Sequence, residues 1–479
     1  MSPEATSRAR WAAVVLACVA QFMVILDVSV VNVALPSIRE SLHFSGAGLQ
    51  WVVNAYAIAF AGFLLLGGRM ADLLGRRRVF IGGLLLFSLA SLVGGLAPGQ
   101  GTLVAARAAQ GLGGAIISPA SLAIITTTFS DGGDRNKALG AWGAMGGAGG
   151  AFGVLLGGVL TDALSWQWIL FINVPIGLAA ALLTPRYVAE GRAAQGTRKF
   201  DLAGALSVTL GLVAIVFAIV RTEVNGWGSV QTIAVLAAGV VLIALFLAIE
   251  GRFAARPLMP LRIFRSRALR GANGVVFLLG AGMFGMWFFV SLYLQQVLGY
   301  SPLEAGLAFL PMTLAIIVGS TVSSRLTSRR GAKPLLVTGM TLQAIGLVLF
   351  TGVSAHGSYL GDVLVASLFV ASGIGIAFVP VTIAAVAGVQ PAEAGLASGL
   401  VNTSRQMGGA LGLAILATVA TARTDALGGH GAVALTAGYQ QAFAIAAGFA
   451  VAGALVALLV LRIERAPSAA ASAPALAAE

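Results

Sequence analysis

WAAVVLACVAQFMVILDVSVVNVAL, residues 11–35, is an apolar run with an aspartate, Asp27, inside it. About 20 apolar residues span a bilayer core as a helix, and this run is long enough. A carboxylate near the middle of such a helix costs roughly 2.5–3.5 kcal/mol on insertion scales, so it is tolerated where it faces protein or a water-lined interior. Asp27 is therefore a candidate functional residue. The run is too long for the apolar core of a signal peptide, lacks a cleavage site of small residues and is followed by further spans, so it reads as span 1 rather than a leader.

Apolar runs recur along almost the whole chain, which has 479 residues, 58% of them hydrophobic and 10% charged. The pattern predicts an all-α integral membrane protein with fourteen spans near 11–35, 49–68, 79–97, 102–128, 138–162, 167–184, 201–220, 229–249, 271–296, 303–324, 334–355, 359–386, 395–421 and 437–461. With the N-terminus on the cytoplasmic side, 24 of the 29 Lys and Arg fall in cytoplasmic segments. Three (Arg39, Arg221, Arg423) fall outside and two (Arg107, Arg405) within spans. That asymmetry follows the positive-inside rule and predicts both termini in the cytoplasm. In a soluble protein the net charge of +12 would point to nucleic acid; here it sets topology, and no nucleic-acid partner is expected. The single cysteine, Cys18, allows no disulfide framework, and His43, His356 and His430 are too scattered for a metal cluster. No GxxxxGK[ST] loop occurs, so neither ATP nor another cofactor is expected.

The chain repeats itself weakly. RMADLLGRR (69–77) after span 2 and RLTSRRGAK (325–333) after span 10 match at a constant offset, with Gly75 over Gly331. Span 4 has Gln110-Gly111-Leu112-Gly113 and later Pro119; span 12 has Ser372-Gly373-Ile374-Gly375 and later Pro380. This predicts an N-terminal tail (1–10), a six-helix half (11–184), two inserted helices with cytoplasmic flanks (185–270), a second six-helix half (271–461) and a disordered tail (462–479). Such repeats mark secondary transporters, with the site at the midplane between the halves.

A rise of 1.5 Å per residue converts sequence position into depth. Asp27 lies roughly 13 Å below Pro36, and Arg107 and Gln110 roughly 8 and 12 Å below Thr102 on span 4. All three share one layer, and intramembrane charges pair. A neighbouring cation favours the ionised carboxylate and a dry interior favours the protonated one, an opposition that suits a group loading and unloading a proton. Asp27 and Arg107 are thus candidates for proton coupling. Polar side chains able to face a cavity are Asn32, Asn54, Tyr56, Gln110, Gln295, Asn402 and Arg405. Arg405 sits in the patch Asn402-Thr403-Ser404-Arg405-Gln406 with no acid in the C-terminal spans to neutralise it, an arrangement expected to favour neutral, anionic or monovalent compounds over dications.

GGRMADLLGRRR (67–78), RAAQGLGGA (107–115), GGAFGVLLGG (149–158) and LDVSVVNVALP (26–36) together resemble the motifs of the major facilitator superfamily, specifically its fourteen-span drug:proton antiporters. WQWILFINVPIG (166–177), KFDLAGAL (199–206) and YLQQVLGYSPLEAGLAFLP (293–311) extend the resemblance to about residues 11–461. Two departures stand out: Val154 where the third motif usually has proline, and Gln167 where the span-6 entry usually has arginine. The resemblance implies gating roles for Gly67, Asp72, Gly75 and Arg76 after span 2, and for Gly149, Gly153, Gly157 and Gly158 on span 5. It further implies a proton-coupled antiporter that exports hydrophobic drugs, antibiotics or secondary metabolites across the bacterial cytoplasmic membrane, and not an enzyme. Its expected partners are a lipophilic small molecule, protons and lipids, and it is expected to be monomeric. The alternative on the same scaffold is a proton-coupled uptake permease for a small organic nutrient.

Overall fold

The computed structural model describes residues 3–129, 133–190, 201–253, 257, 259–386, 394–429 and 431–461. These fold into helices with no strand among them. In chain order the long helices are α1 (Pro3–Leu42), α2 (Trp51–Leu74), α3 (Arg76–Gly95), α4 (Gln100–Thr128), α5 (Gly133–Ala163), α6 (Asn173–Tyr187), α7 (Leu202–Asn225), α8 (Val230–Ala248), α9 (Arg267–Leu292), α10 (Leu310–Arg330), α11 (Ala332–Phe350), α12 (Val365–Val386), α13 (Ala394–Ala426) and α14 (Ala432–Leu459). Among the described residues, thirteen stretches are long and apolar enough to cross a membrane, and α5 adds a shorter apolar stretch, Ala148–Ala163. The expected fourteen-helix architecture is present. Helix ends run past the expected spans where polar residues continue the backbone pattern: α1 passes through Pro36 to Leu42, and a wide turn closed by Leu298 N–H on Tyr293 O (3.0 Å) extends α9.

The internal repeat is visible in the backbone. Gly75 (φ 101°) joins α2 to α3 and Gly331 (φ 79°) joins α10 to α11, both in the left-handed region that glycine reaches at least cost. Each half also has a proline that cannot donate to the carbonyl four residues back. In α12, Pro380 frees the Ile376 carbonyl, which accepts Ser323 Oγ–H of α10 at 2.7 Å. In α4, Pro119 frees the Ala115 carbonyl, and Gly67 of α2 packs directly onto it, with no space for a Cβ.

A third proline shapes the seam between the halves. Pro36 leaves the Asn32 carbonyl of α1 without an intrahelical donor. Ser291 Oγ of α9 donates to it at 2.6 Å, and Gln295 Nε2 donates to the Val33 carbonyl at 2.8 Å. One turn on, Arg39 Nη1 donates to Gln296 Oε1 (3.1 Å), which also accepts the Tyr439 hydroxyl of α14 (3.0 Å). These three links join residues 11–184 to residues 271–461, and all lie toward the face opposite the chain termini. The α7–α8 pair sits beside the seam: Ala205 packs with Leu66 of α2, and Thr418 Oγ1 of α13 reaches the Ile219 carbonyl of α7 (3.4 Å). Helix α8 lies at the periphery, its apolar stretch mostly exposed as a lipid-facing helix would be.

Candidate functional site

Asp27, at the centre of the packed face of α1, has no exposed surface. Its Oδ2 accepts Arg107 Nη1–H of α4 at 2.5 Å. Its Oδ1 accepts Gln110 Nε2–H at 3.0 Å and Asn173 Nδ2–H at 2.9 Å. Arg107 and Gln110 are three residues apart on α4 and so share one face. Arg107 Nη1 also donates to Gln110 Oε1 (2.8 Å), and its Nε donates to the Val52 carbonyl of α2 (3.0 Å). The guanidinium lies 4.6 Å from the centre of the Tyr56 ring, whose hydroxyl points at the Val24 carbonyl (3.4 Å). Gln110 Nε2 completes its bonding on Ser91 Oγ of α3 (2.6 Å). Five helices thus contribute to one buried cluster around a single ion pair.

The enclosure has an energetic consequence. Two charges removed from water are tolerated only with close mutual contact and hydrogen bonds to the remaining donors and acceptors, and removing one partner typically costs about 3–5 kcal/mol. Depth counting places Asp27, Arg107 and Gln110 in one layer, and the structure brings them together. Asn173 and Ser91 were not singled out from the sequence. Asn173 opens α6 just after the short helix Trp168–Phe171, where no uninterrupted helical count gives depth. Its only sequence signal is a polar residue within the apolar FINVPIG.

The other expected residues sort into separate places. Tyr56 and Gln110 belong to the Asp27 cluster. Asn54, fully buried, donates to Gln50 Oε1 one turn earlier (3.2 Å). Asn32, whose Nδ2 donates back to the Val28 carbonyl one turn earlier in α1 (2.9 Å), and Gln295 lie at the inter-half seam. Asn402 and Arg405 are partly exposed on α13, with Arg405 Nη2 donating to Asn402 Oδ1 at 2.7 Å. Gly149, Gly153 and Gly157 pack α5 on α1 against Ile25, Ser29 and Val30, whereas Gly158 abuts Pro302 and Leu303 of the other half. The Asp72 side chain lies outside the described residues. Arg76 opens α3, and Arg77 and Arg78 reach Glu190 Oε2 at 3.0 and 3.6 Å. Among the described residues no group of three or more His, Cys, Asp or Glu is placed to hold a metal ion.

Two pseudo-repeated helical halves, enough apolar helices to cross a bilayer many times and an enclosed ion pair in one half define a multi-pass membrane protein of the secondary-transporter class. Comparison with known proteins makes the assignment specific. The profile of the Major Facilitator Superfamily matches residues 17–413 and 275–477, and the chain belongs to that family. It is 42% identical over 415 residues to the cephamycin export protein CmcT of Amycolatopsis lactamdurans, covering 86% of this chain and 85% of that protein. It is 43% identical over 461 residues to the puromycin resistance protein pur8 of Streptomyces alboniger, covering 94% and 90%. Among solved structures, the fold is similar to a bacterial homologue of the human lysosomal transporter Spinster in an inward-facing, unoccupied conformation (TM-score 0.68, 16% identity, covering 98% of this chain and all of that one).

Proposed function

We propose that this chain is a proton-coupled antiporter that exports lipophilic antibiotics or related metabolites from the bacterial cytoplasm, with Asp27 as the proton carrier. The observation that carries the reading is the Asp27–Arg107 pair, fully enclosed and held by Gln110 and Asn173. A proton on Asp27 cancels the charge that balances Arg107 and adds an O–H donor to a cluster already filled by donors. The cluster then has to rearrange, and because it ties α1, α2, α3, α4 and α6 together, the rearrangement acts on the whole N-terminal half. The export and resistance proteins to which the chain is similar support the direction of transport. The Lys and Arg distribution supports cytoplasmic termini, so the face closed by the α1–α9 hydrogen bonds is the outer one and the present arrangement is closed to the outside.

The test is efflux of a lipophilic antibiotic panel that includes puromycin, from proteoliposomes under an imposed pH step. The expected result is acceleration by the proton gradient and loss of that acceleration with a protonophore, with or without ATP. Efflux that requires ATP and ignores the gradient would contradict the proposal.

A further inference from the structure

The second intramembrane arginine is arranged differently from the first. Arg405 has an accepting partner, Asn402 Oδ1 at 2.7 Å, and its guanidinium stands 5.6 Å from the ring centre of Phe378 on α12. No carboxylate among the described residues forms an ion pair with it. Asp27 is already satisfied by three donors, and the other described acids sit at helix ends or in connections. A guanidinium has five N–H donors, so most of this one's capacity is open.

The surroundings fix this cation and leave it partly exposed. The Arg405 carbonyl occupies the place a Cβ would take on Gly280 of α9, so the α13 backbone is pinned at this residue. Next to it, Ser404 Oγ donates to Asn273 Oδ1 of α9 at 2.7 Å. On α12, Gly373 and Ala377 meet α11, and Gly375 and Ile376 meet α10. At 100° per residue, Phe378 projects away from both of those helices, on the side where Arg405 of α13 lies over its ring. Phe378 is 41% exposed.

We propose that Arg405, Asn402 and Phe378 form an anion subsite of the transport cavity, which receives the carboxylate of an amphipathic substrate while its aromatic or polycyclic body lies on the Phe378 ring. Guanidinium binds carboxylate through paired, charge-assisted N–H···O bonds, and a partly dehydrated cation without a counter-ion gains most from a ligand that supplies one. The Asp27–Arg107 pair is neutral as a unit, so a monoanion balances the remaining charge of the membrane layer, whereas a cation adds to it. This assignment deepens the exporter reading and rests on it for the direction in which the anion moves.

The probes are 1-pyrenebutyrate and its methyl ester, alike in shape and differing in charge. Equilibrium binding to the full chain in lipid nanodiscs, without any gradient, is measured for wild type, Arg405→Gln, Arg405→Lys and Phe378→Leu. Wild type should bind the acid at least about tenfold more tightly than the ester, the size of one charge-assisted contact. Arg405→Gln should remove that preference, and ester binding that persists also reports an intact fold. Arg405→Lys should keep part of the preference, and Phe378→Leu should weaken acid and ester alike. Equal wild-type affinities overturn the subsite even if a variant fails to fold, as does an acid preference that survives in Arg405→Gln. Gradient-driven efflux of the same acid is read separately. Binding preference without efflux keeps the subsite and removes the exporter reading, and efflux without binding preference does the reverse.

Discussion

At the scale of single residues, the central object is a carboxylate whose two oxygens are occupied by Arg107, Gln110 and Asn173. The first two partners were legible because a continuous helix turns residue number into depth. Asn173 was not, because a break between short helices precedes it and its depth depends on tertiary packing. Its Oδ1 has no hydrogen-bond partner, so its amide serves the cluster as a donor. Asn173→Leu should therefore destabilise the protein by about 1–3 kcal/mol, the cost of losing a buried hydrogen bond to a charged group. Thermal unfolding in detergent measures it, and a transition at the wild-type temperature would show that Asn173 is not part of the cluster. Asp27→Asn preserves the side-chain shape but leaves Arg107 buried without a counter-charge, so it too should unfold earlier than wild type, within the same assay.

Among the elements, hydropathy showed where helices cross and prolines showed where their carbonyls are left free, but not what takes those carbonyls. Ala115 is met by a glycine, Ile376 by a serine and Asn32 by a serine from the opposite half. Only the last joins the two halves, and no spacing in the sequence distinguishes it. Ser291→Ala combined with Gln295→Ala should loosen the seam between the halves. Paired spin labels on exposed positions near the C-terminal ends of α1 and α9 should then show a longer and broader distance distribution. A distribution identical to wild type would remove these bonds from the closure. The α2–α4 contact gives an independent prediction: the Tyr56 carbonyl occupies the space a Cβ would need at Gly111. Gly111→Val should force the helices apart, cost about 1–3 kcal/mol or more by overpacking, and lengthen the Arg107–Val52 bond. Wild-type thermal stability in that variant would contradict the close approach.

Over the whole molecule, the sequence repeat was legible as an architecture, and Gly75 and Gly331 adopt the same left-handed turn in both halves. The chemistry breaks that symmetry: the N-terminal half encloses a neutralised ion pair, and the C-terminal half presents a cation beside an exposed ring. That difference is what the proposed division, protons in one half and substrate in the other, rests on. The most direct test of the central claim compares wild type with Asp27→Asn in proteoliposomes loaded with the same antibiotic. Wild type should drive efflux against a concentration gradient when a pH step is imposed. Asp27→Asn should lose that uphill movement while still exchanging antibiotic down its gradient. Uphill, gradient-driven efflux by Asp27→Asn at the wild-type rate would show that the proton is carried elsewhere.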